Sequence, residues 1–541
     1  MPATPHSPAP GPDTPDSPDS PDTDVIVVGR GPVGAVLAIL LADRGHRVRV
    51  LEHRPEPYPL PRATSFDGET ARLLASAGIG GGLATISEPA TGYQWRTASG
   101  RPLLDIAFSR TGRYGWPDAN TMHQPALEEL LAGRLATLPG VETHLGHRVV
   151  DIAQTPSGVT ATAVTGDGAE RAFTARWLVG CDGANSFVRE HTGVAVTDLG
   201  FSYEWLLCDV RLHTPREFVP TNVQLCDPAR PTTMVGSGPG RRRWEFMRLP
   251  GESAAELDTT EAAWRLLAPH GVTPETATLL RSTTYRFRAM WAEQWRSGRV
   301  FLAGDAAHLM PPFAGQGMCA GIRDVVNLAW KLDLVLSDRA PDRLLDTYTL
   351  ERRLHAKASI TASVKLGRVI CVTDPAAAAD RDAAILANGG GRAQQGPPPA
   401  EPLTKGLLRP AGDGRGGAGE VMIAGTVEAD GVRDRLDQLV GAGFVLITTE
   451  DPAELNDVHG AFLTALGIRV VRLAPPGSPA GPGLVRDVDG VYHAYLGRLG
   501  ASSVLVRPDH HVFGTAEPGG TAALVDELRA QLQDAPLAAA R

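Results

Sequence analysis

Three short stretches of this chain carry residues whose types and spacing can do chemistry. The first is Gly29-Arg30-Gly31-Pro32-Val33-Gly34, directly after the apolar run Val25–Val28, with Glu52 18 positions past Gly34. Gly29 permits a tight turn, Gly31 lets a pyrophosphate approach the backbone, and Gly34 allows close helix–strand packing. Glu52 is placed to take ribose hydroxyls. The second is Cys181-Asp182-Gly183-Ala184-Asn185-Ser186, with Arg189 after it. An Asp-Gly at a strand's carboxyl end lies where open α/β sheets bind ligands, although an ordinary Asx turn has the same residues. The third runs from Gly298 to Leu332, with Asp305 just past a strand and a Gly/Pro-rich loop leading to a helix that starts near Gly317. A carboxylate there can accept hydrogen bonds from a polyol, and open N–H groups at a helix start suit an electron-rich ring edge.

The elements that must position these residues follow from apolar periodicity. Val25–Val28 and Val48–Leu51 read as buried strands flanking the helix Ala35–Arg44, which gives the G-x-G-x-x-G stretch its required strand–helix context. No second copy occurs, so one dinucleotide is held in this manner, and that favours FAD as resident cofactor. Arg62 sits in a loop suited to a phosphate contact or a surface ion pair. Gln124 lies at the start of a helix predicted over 120–135, where capping is the alternative to ligand contact. Strands are predicted over 149–153, 159–164 and 172–179. From about Leu199 an antiparallel pattern follows, with a hairpin at Gly236–Gly240 and Arg241-Arg242-Arg243 expected at its solvated tip. Trp244 and Phe246 share a strand face and suit either the roof of an aromatic pocket or plain core packing. Residues 374–418, rich in Ala, Gly and Pro, read as a linker. Beyond them a β-α-β…β-β-α order is thioredoxin-like, and with no cysteine after Cys371 it cannot do dithiol chemistry.

Composition narrows the function classes. At 541 residues the chain is too long for one core, and its net charge of −9 gives no footprint for nucleic acid. No apolar run is long enough for a membrane span. Five scattered cysteines fit a reducing, cytoplasmic setting without disulfides or a zinc site. His510-His511 reads as a strand-edge pair, with no metal expected. Residues 1–23, dominated by Pro, Asp, Ser and Thr, read as a disordered tail.

VIVVGRGPVGAVLAILLADRG, WLVGCDGANSFVR and GRVFLAGDAAHLMPPFAGQGMCAGIRDVVNLAWKL together resemble the three signatures of single-component FAD-dependent aromatic hydroxylases, the group of para-hydroxybenzoate and phenol hydroxylases. CDPARPTTMVGSGPGRRRWEFMRLPGE and the cysteine-free tail are similar to the branch of 3-(3-hydroxyphenyl)propionate hydroxylases and actinomycete polyketide hydroxylases. The resemblance implies an α/β chain in three units. These are a Rossmann-like FAD-binding domain over 24–190 and 286–373, an inserted antiparallel-sheet substrate domain over 191–285, and a thioredoxin-like domain over 419–541. It also implies that Gly29, Gly31, Gly34, Glu52, Arg62, Gln124, Asp182, Asp305, Gly317 and Met318 contact FAD. Pro311, Pro312, Gly315, Gln316 and Gly317 would border the flavin ring, with Trp244, Phe246 and Pro312 toward the substrate.

The implied reaction takes electrons from NADH or NADPH, and a C4a-hydroperoxyflavin formed with O2 hydroxylates a phenolic or polycyclic aromatic. Baeyer–Villiger-type insertion, oxidative rearrangement and a non-catalytic flavin protein are the alternatives. No catalytic side chain is assigned; His308 and Tyr203 are the candidates for a phenol base, each also suited to a structural role. Cys319 stands where the group usually has Asn and receives no role. Oligomeric state is not legible.

Overall fold

The computed structural model describes residues 21–410, 416–451 and 455–533. The tail expected over 1–23 therefore lies outside the described residues as far as residue 20, and Thr23 already opens the first strand.

An eight-stranded sheet forms the first layer. At its centre Thr23–Val28 pairs in parallel with Val48–Glu52 on one side and Glu170–Gly180 on the other, and Val300–Leu302 extends it. Val25, Ile26 and Val27 are fully buried at the centre of the sheet, which is why the strand is a continuous apolar run. The long strand Glu170–Gly180 serves two partners. Its first half pairs antiparallel with Val159–Val164, and its second half joins the parallel set. Helices Pro32–Ala42 and Gly317–Leu336 pack together over the sheet.

A second eight-stranded sheet follows the order 277–287, 203–212, 241–247, 232–236, 222–225, 92–96, 102–107, 393–395. It draws strands from well outside 191–285. Gly92–Arg96 and Pro102–Ala107 come from the first part of the chain, and Ala393–Gln395 from the span read as linker. That span also holds the helix Pro375–Ala387. Its alanines favour helix, Pro375 suits the first turn, and the Asp374 carboxylate accepts the Ala377 N–H at 2.8 Å as an N-cap. The helix expected from residue 120 begins only at Gln124. Ala119–Met122 is instead a strand between Ser65–Asp67 and Ser87–Pro89.

In the C-terminal unit Arg469–Arg472 and Val445–Thr448 are parallel, and Ser503–Val506 and Val512–Ala516 complete an antiparallel edge. Helices Asp457–Leu466, Val491–Leu499 and Thr521–Gln533 complete the thioredoxin-like order. His510 and His511 lie in the turn between the last two strands. Both are buried, and His510 Nε2 stands 3.3 Å from Ser76 Oγ of the cofactor-binding unit. No described helix is long and apolar enough to cross a membrane.

Candidate active site

Sheet register brings the three chemical stretches to one edge. Val28 is level with Leu51 and Gly180, and Gly180 with Leu302. The chain therefore leaves all four parallel strands together, at Gly29, Glu52, Cys181 and Ala303. A cavity of about 1780 Å3 opens there and runs to the second sheet. A drug-sized ligand occupies roughly 300–1,000 Å3, so this space suits two ligands end to end.

Each glycine of the first stretch has a distinct reason. Gly29 has φ +101°, and a Cβ on it would lie 2.4 Å from the Cys181 carbonyl oxygen. A Cβ on Gly34 would lie 2.0 Å from the Gly29 carbonyl oxygen. Gly31 differs, because a Cβ there meets nothing within 4 Å and would project into open space at the cavity wall. Glu52 accepts the backbone N–H groups of Arg30 and Arg54, each at 2.8 Å, and so fixes the turn while its side chain lines the cavity.

The loop carrying Arg62 is held by three side chains. Gln124 Oε1 accepts the Arg62 and Ala63 N–H groups at 3.0 and 2.6 Å. Arg243 donates to the Pro61 and Arg62 carbonyls at 2.8 and 2.7 Å, and Arg281 donates to Pro61 at 2.8 Å. Gln124 thus shapes the site through backbone, and Arg62 is presented to the cavity. The arginine triplet is not a solvated tip: Arg242 and Arg243 are buried, and Arg243 pairs with Asp209 at 2.7 Å. The tip is Gly238-Pro239-Gly240, and strand pairing from Arg241 onward draws the arginines into the sheet.

Asp182 is a capping group first. It accepts Ser186 Oγ at 2.5 Å and the Val188 N–H at 3.0 Å, closing the start of helix Phe187–Thr192, and burial raises its pKa against those bonds. Arg189 ties this loop to the third stretch through the carbonyls of Ala184 and Ala306 at 2.9 and 3.0 Å.

Asp305 is different. Its carboxylate lines the cavity, and among the described residues no protein donor hydrogen-bonds to it. Burial raises its pKa, opposed by His308, Arg62 and Arg189. An acceptor left without a donor in a half-buried wall fits a ligand rich in hydroxyls. Beneath it Asp324 organises the turn, accepting the Gly304 N–H at 3.1 Å and Arg352 Nε at 3.0 Å, with His308 Nε2 at 2.8 Å. Helix Gly317–Leu336 begins without a side-chain cap, since Gln316 is drawn to Asp67 at 3.1 Å and Arg323 at 2.9 Å. Its first N–H groups are therefore free for a ring edge. Pro312, Gly315, Gln316, Gly317 and Met318 all line the cavity. Pro311 does not; it is buried beneath the loop. Cys319 points inward from the first turn, with Sγ 3.9 Å from the Gly315 carbonyl, and burial pushes its thiol up to about 12. It fills core rather than touching ligand.

The floor beyond the ring loop is the second sheet, and alternation corrects the aromatic assignment. Trp244 and Phe246 face away from the cavity, in a core with Leu206, Cys208 and the helix Thr260–Leu267. Their neighbours on the same strand, Arg243 and Glu245, face it. Two cross-strand rows result. One runs Thr283–Leu207–Glu245–Thr233–Gln224–Trp95, the other Arg281–Asp209–Arg243–Val235–Asn222–Tyr93. Tyr203 packs in an aromatic cluster with Phe201, and the fully buried His308 lies tilted against Trp295. Neither lines the cavity.

Sequence reading missed Asp324, Arg243, Glu245 and the Asp67–Arg323–Glu69 cluster, whose Arg323 lies 2.5 Å from Asp67 and 2.9 Å from Glu69. A charged residue inside an apolar-periodic helix was the one signal available for Asp324. For the strand residues the period of two revealed two faces without saying which met the ligand.

Comparison with known proteins covers both units of the chain. A family model described as an FAD binding domain matches residues 22–363, and one described as the HcaD C-terminal domain matches 419–531. A probable NADH-specific resorcinol 4-hydroxylase of Rhodococcus jostii is 37% identical over 523 residues, 95% of this chain and 96% of the relative. A 3-(3-hydroxy-phenyl)propionate/3-hydroxycinnamic acid hydroxylase of Burkholderia vietnamiensis is 33% identical, covering 94% and 96%. Among solved structures, aklavinone-11 hydroxylase in complex with FAD and aklavinone superposes with a TM-score of 0.76 at 25% identity, covering 94% of this chain and 99% of that one.

Proposed function

This chain belongs to the FAD-binding-domain family of aromatic hydroxylases, and from that premise we propose that it hydroxylates a phenolic ring held against the second sheet. It is an FAD-dependent monooxygenase that takes its electrons from NADH or NADPH. The observation that carries the substrate reading is the continuity of the cavity, which runs past the ring loop onto a floor mixing Tyr93, Trp95 and Leu104 with Glu245, Gln224 and Thr233. Apolar walls accept an aromatic ring, and the polar row orients its hydroxyl.

In this reading the open space at Gly31 admits the pyrophosphate, with Gly29 and Gly34 forming the turn. Glu52 takes the ribose, and Asp305 accepts hydroxyls midway along the cofactor. Arg62 and the Asp182 loop flank it, with Gln124 fixing Arg62's backbone. The N–H groups of Gly317 and Met318 meet the electron-rich edge of the ring, while Pro312, Gly315 and Gln316 close its border. When bound, FAD supplies the hydride acceptance from the nicotinamide and the activation of O2. The protein's own contributions are orientation and exclusion of water. Phe287 and Phe313, 5.6 Å apart, form an apolar wall beside the ring loop.

The test uses the purified yellow protein with resorcinol and 3-(3-hydroxyphenyl)propionate as probes. Phenol-stimulated oxidation of NADH or NADPH and a product heavier by one oxygen are expected. The reading is wrong if no phenol in a broad panel accelerates nicotinamide oxidation.

A further inference from the structure

We propose that Glu245 is the catalytic base of this enzyme, receiving the substrate's phenolic hydroxyl and taking its proton before oxygen transfer. The assignment rests on the phenolic reading above and deepens it.

Three observations place Glu245. First, it lines the cavity from the middle of the floor with only 10% of its side chain exposed, and among the described residues no protein donor hydrogen-bonds to its carboxylate. Its cationic neighbour, Arg243, stands 3.8 Å away and spends its donors on Asp209, Pro61 and Arg62. The two polar neighbours that follow it in the row are engaged with each other and with backbone: Thr233 donates to Gln224 at 2.6 Å, and Gln224 donates to the Thr232 carbonyl at 3.0 Å. A buried acceptor with no donor awaits one from a ligand.

Second, Glu245 lies between the two loops that border the ring site. On one side of its row, Arg243 and Arg281 grip Pro61 in the Arg62 loop. On the other, Phe287 packs on Phe313 of the 312–317 loop. A ring resting on this row sits between both.

Third, its surroundings tune it for the task. Burial raises its pKa to about 6, with Arg243 opposing and Asp209 reinforcing; Tyr93, whose own phenol is raised by burial, also faces it. A base poised near the operating pH is half ionised there and still accepts a proton readily.

The step is a simple transfer. The phenol O–H bond breaks, a new O–H bond forms on the Glu245 carboxylate, and the electron pair stays on the phenolate oxygen. That charge enriches the ring positions ortho and para to it, the sites an electrophilic oxygen attacks. The proton returns to the product's oxygen as it leaves.

The experiment compares wild type with Glu245→Gln and Glu245→Asp, all as FAD-loaded protein, using resorcinol. Wild-type kcat/KM should rise with pH through about 6. Glu245→Gln should lose that limb and about 100-fold or more in kcat, and Glu245→Asp should recover part of both. In the absence of nicotinamide, wild type should shift the absorbance of bound resorcinol toward phenolate and Glu245→Gln should not. If Glu245→Gln fails to retain FAD, Glu245→Asp carries the test through its pH limb and the absorbance shift. A Glu245→Gln enzyme with unchanged pH profile and phenolate signal, alongside an active wild type, overturns the base assignment alone. An inactive wild type with every phenol overturns the phenolic reading and this one together.

Discussion

Arg507 of the C-terminal unit places its guanidinium 2.7 Å from Glu351, in the long helix Asp346–Ile370, and neither side chain is exposed at all. Lys331 reaches the same carboxylate at 2.8 Å, and Asp509 closes the cluster at 2.6 Å from Arg507. The Leu407 N–H adds a further bond to Glu351 at 2.9 Å, so every strong acceptor site is used. Lys331 lies on the helix that begins at the ring site. The thioredoxin-like unit is therefore keyed into the cofactor-binding unit through charge. Arg507→Ala takes the guanidinium from buried Asp509 and leaves Glu351 with Lys331 alone, and should cost about 3–5 kcal/mol in denaturant unfolding.

The same cluster predicts an acid dependence. Burial alone would raise the Glu351 pKa, but Arg507 and Lys331 pull it from its ordinary 4.5 to about 2. A depressed carboxylate stabilises the fold above its unfolded pKa, and that contribution is lost as pH falls through the folded one. The stability gap between wild type and Glu351→Gln should be constant above pH 4.5 and shrink toward pH 2. A gap independent of pH over that window would contradict the charge-based account.

Gly31 and Gly34 should separate folding from cofactor binding. Gly34→Ala drives a methyl against the Gly29 carbonyl and should lower the melting temperature of the apoprotein. Gly31→Ala meets no protein atom within 4 Å, so the apoprotein should melt as wild type while FAD binds at least ~10-fold more weakly. Calorimetry of apoprotein and FAD titration measure both.

Asp305→Ala should weaken FAD binding by roughly 10- to 150-fold, since a hydrogen bond to a charged group contributes about 1.5–3 kcal/mol. Full FAD occupancy at cofactor concentrations near the wild-type Kd would remove Asp305 from the cofactor's contacts.

The two faces of the strand Arg241–Met247 predict opposite phenotypes. Phe246→Leu should cost about 1 kcal/mol of stability and leave KM for the aromatic substrate unchanged, because Phe246 packs under helix Thr260–Leu267. Trp95→Leu, on the cavity floor, should change KM by several-fold. Steady-state kinetics beside thermal melts distinguish them.

The parallel-sheet unit and its three cavity-lining turns were legible because each is local. Val25–Val28, the glycines after it and Glu52 are close in sequence, and their order alone implies strand, turn and helix. Asp305 was legible for the same reason. What the chain order left open was set by pairing between distant segments. Whether Trp244 or Glu245 meets the ligand depends on which face of the sheet helix Thr260–Leu267 covers, and a one-residue shift in register would exchange them. Ala393–Gln395 looks like linker until Asp105–Ala107 offers it an edge. Arg243 looks like a surface charge until Asp209 and the Pro61 carbonyl supply its partners across the fold. The sequence by itself determined the strand–turn–helix order of the turns that line the cavity. Only the tertiary structure decided which side chains of the second sheet face that cavity, because burial and strand register are properties of contacts that no single stretch contains.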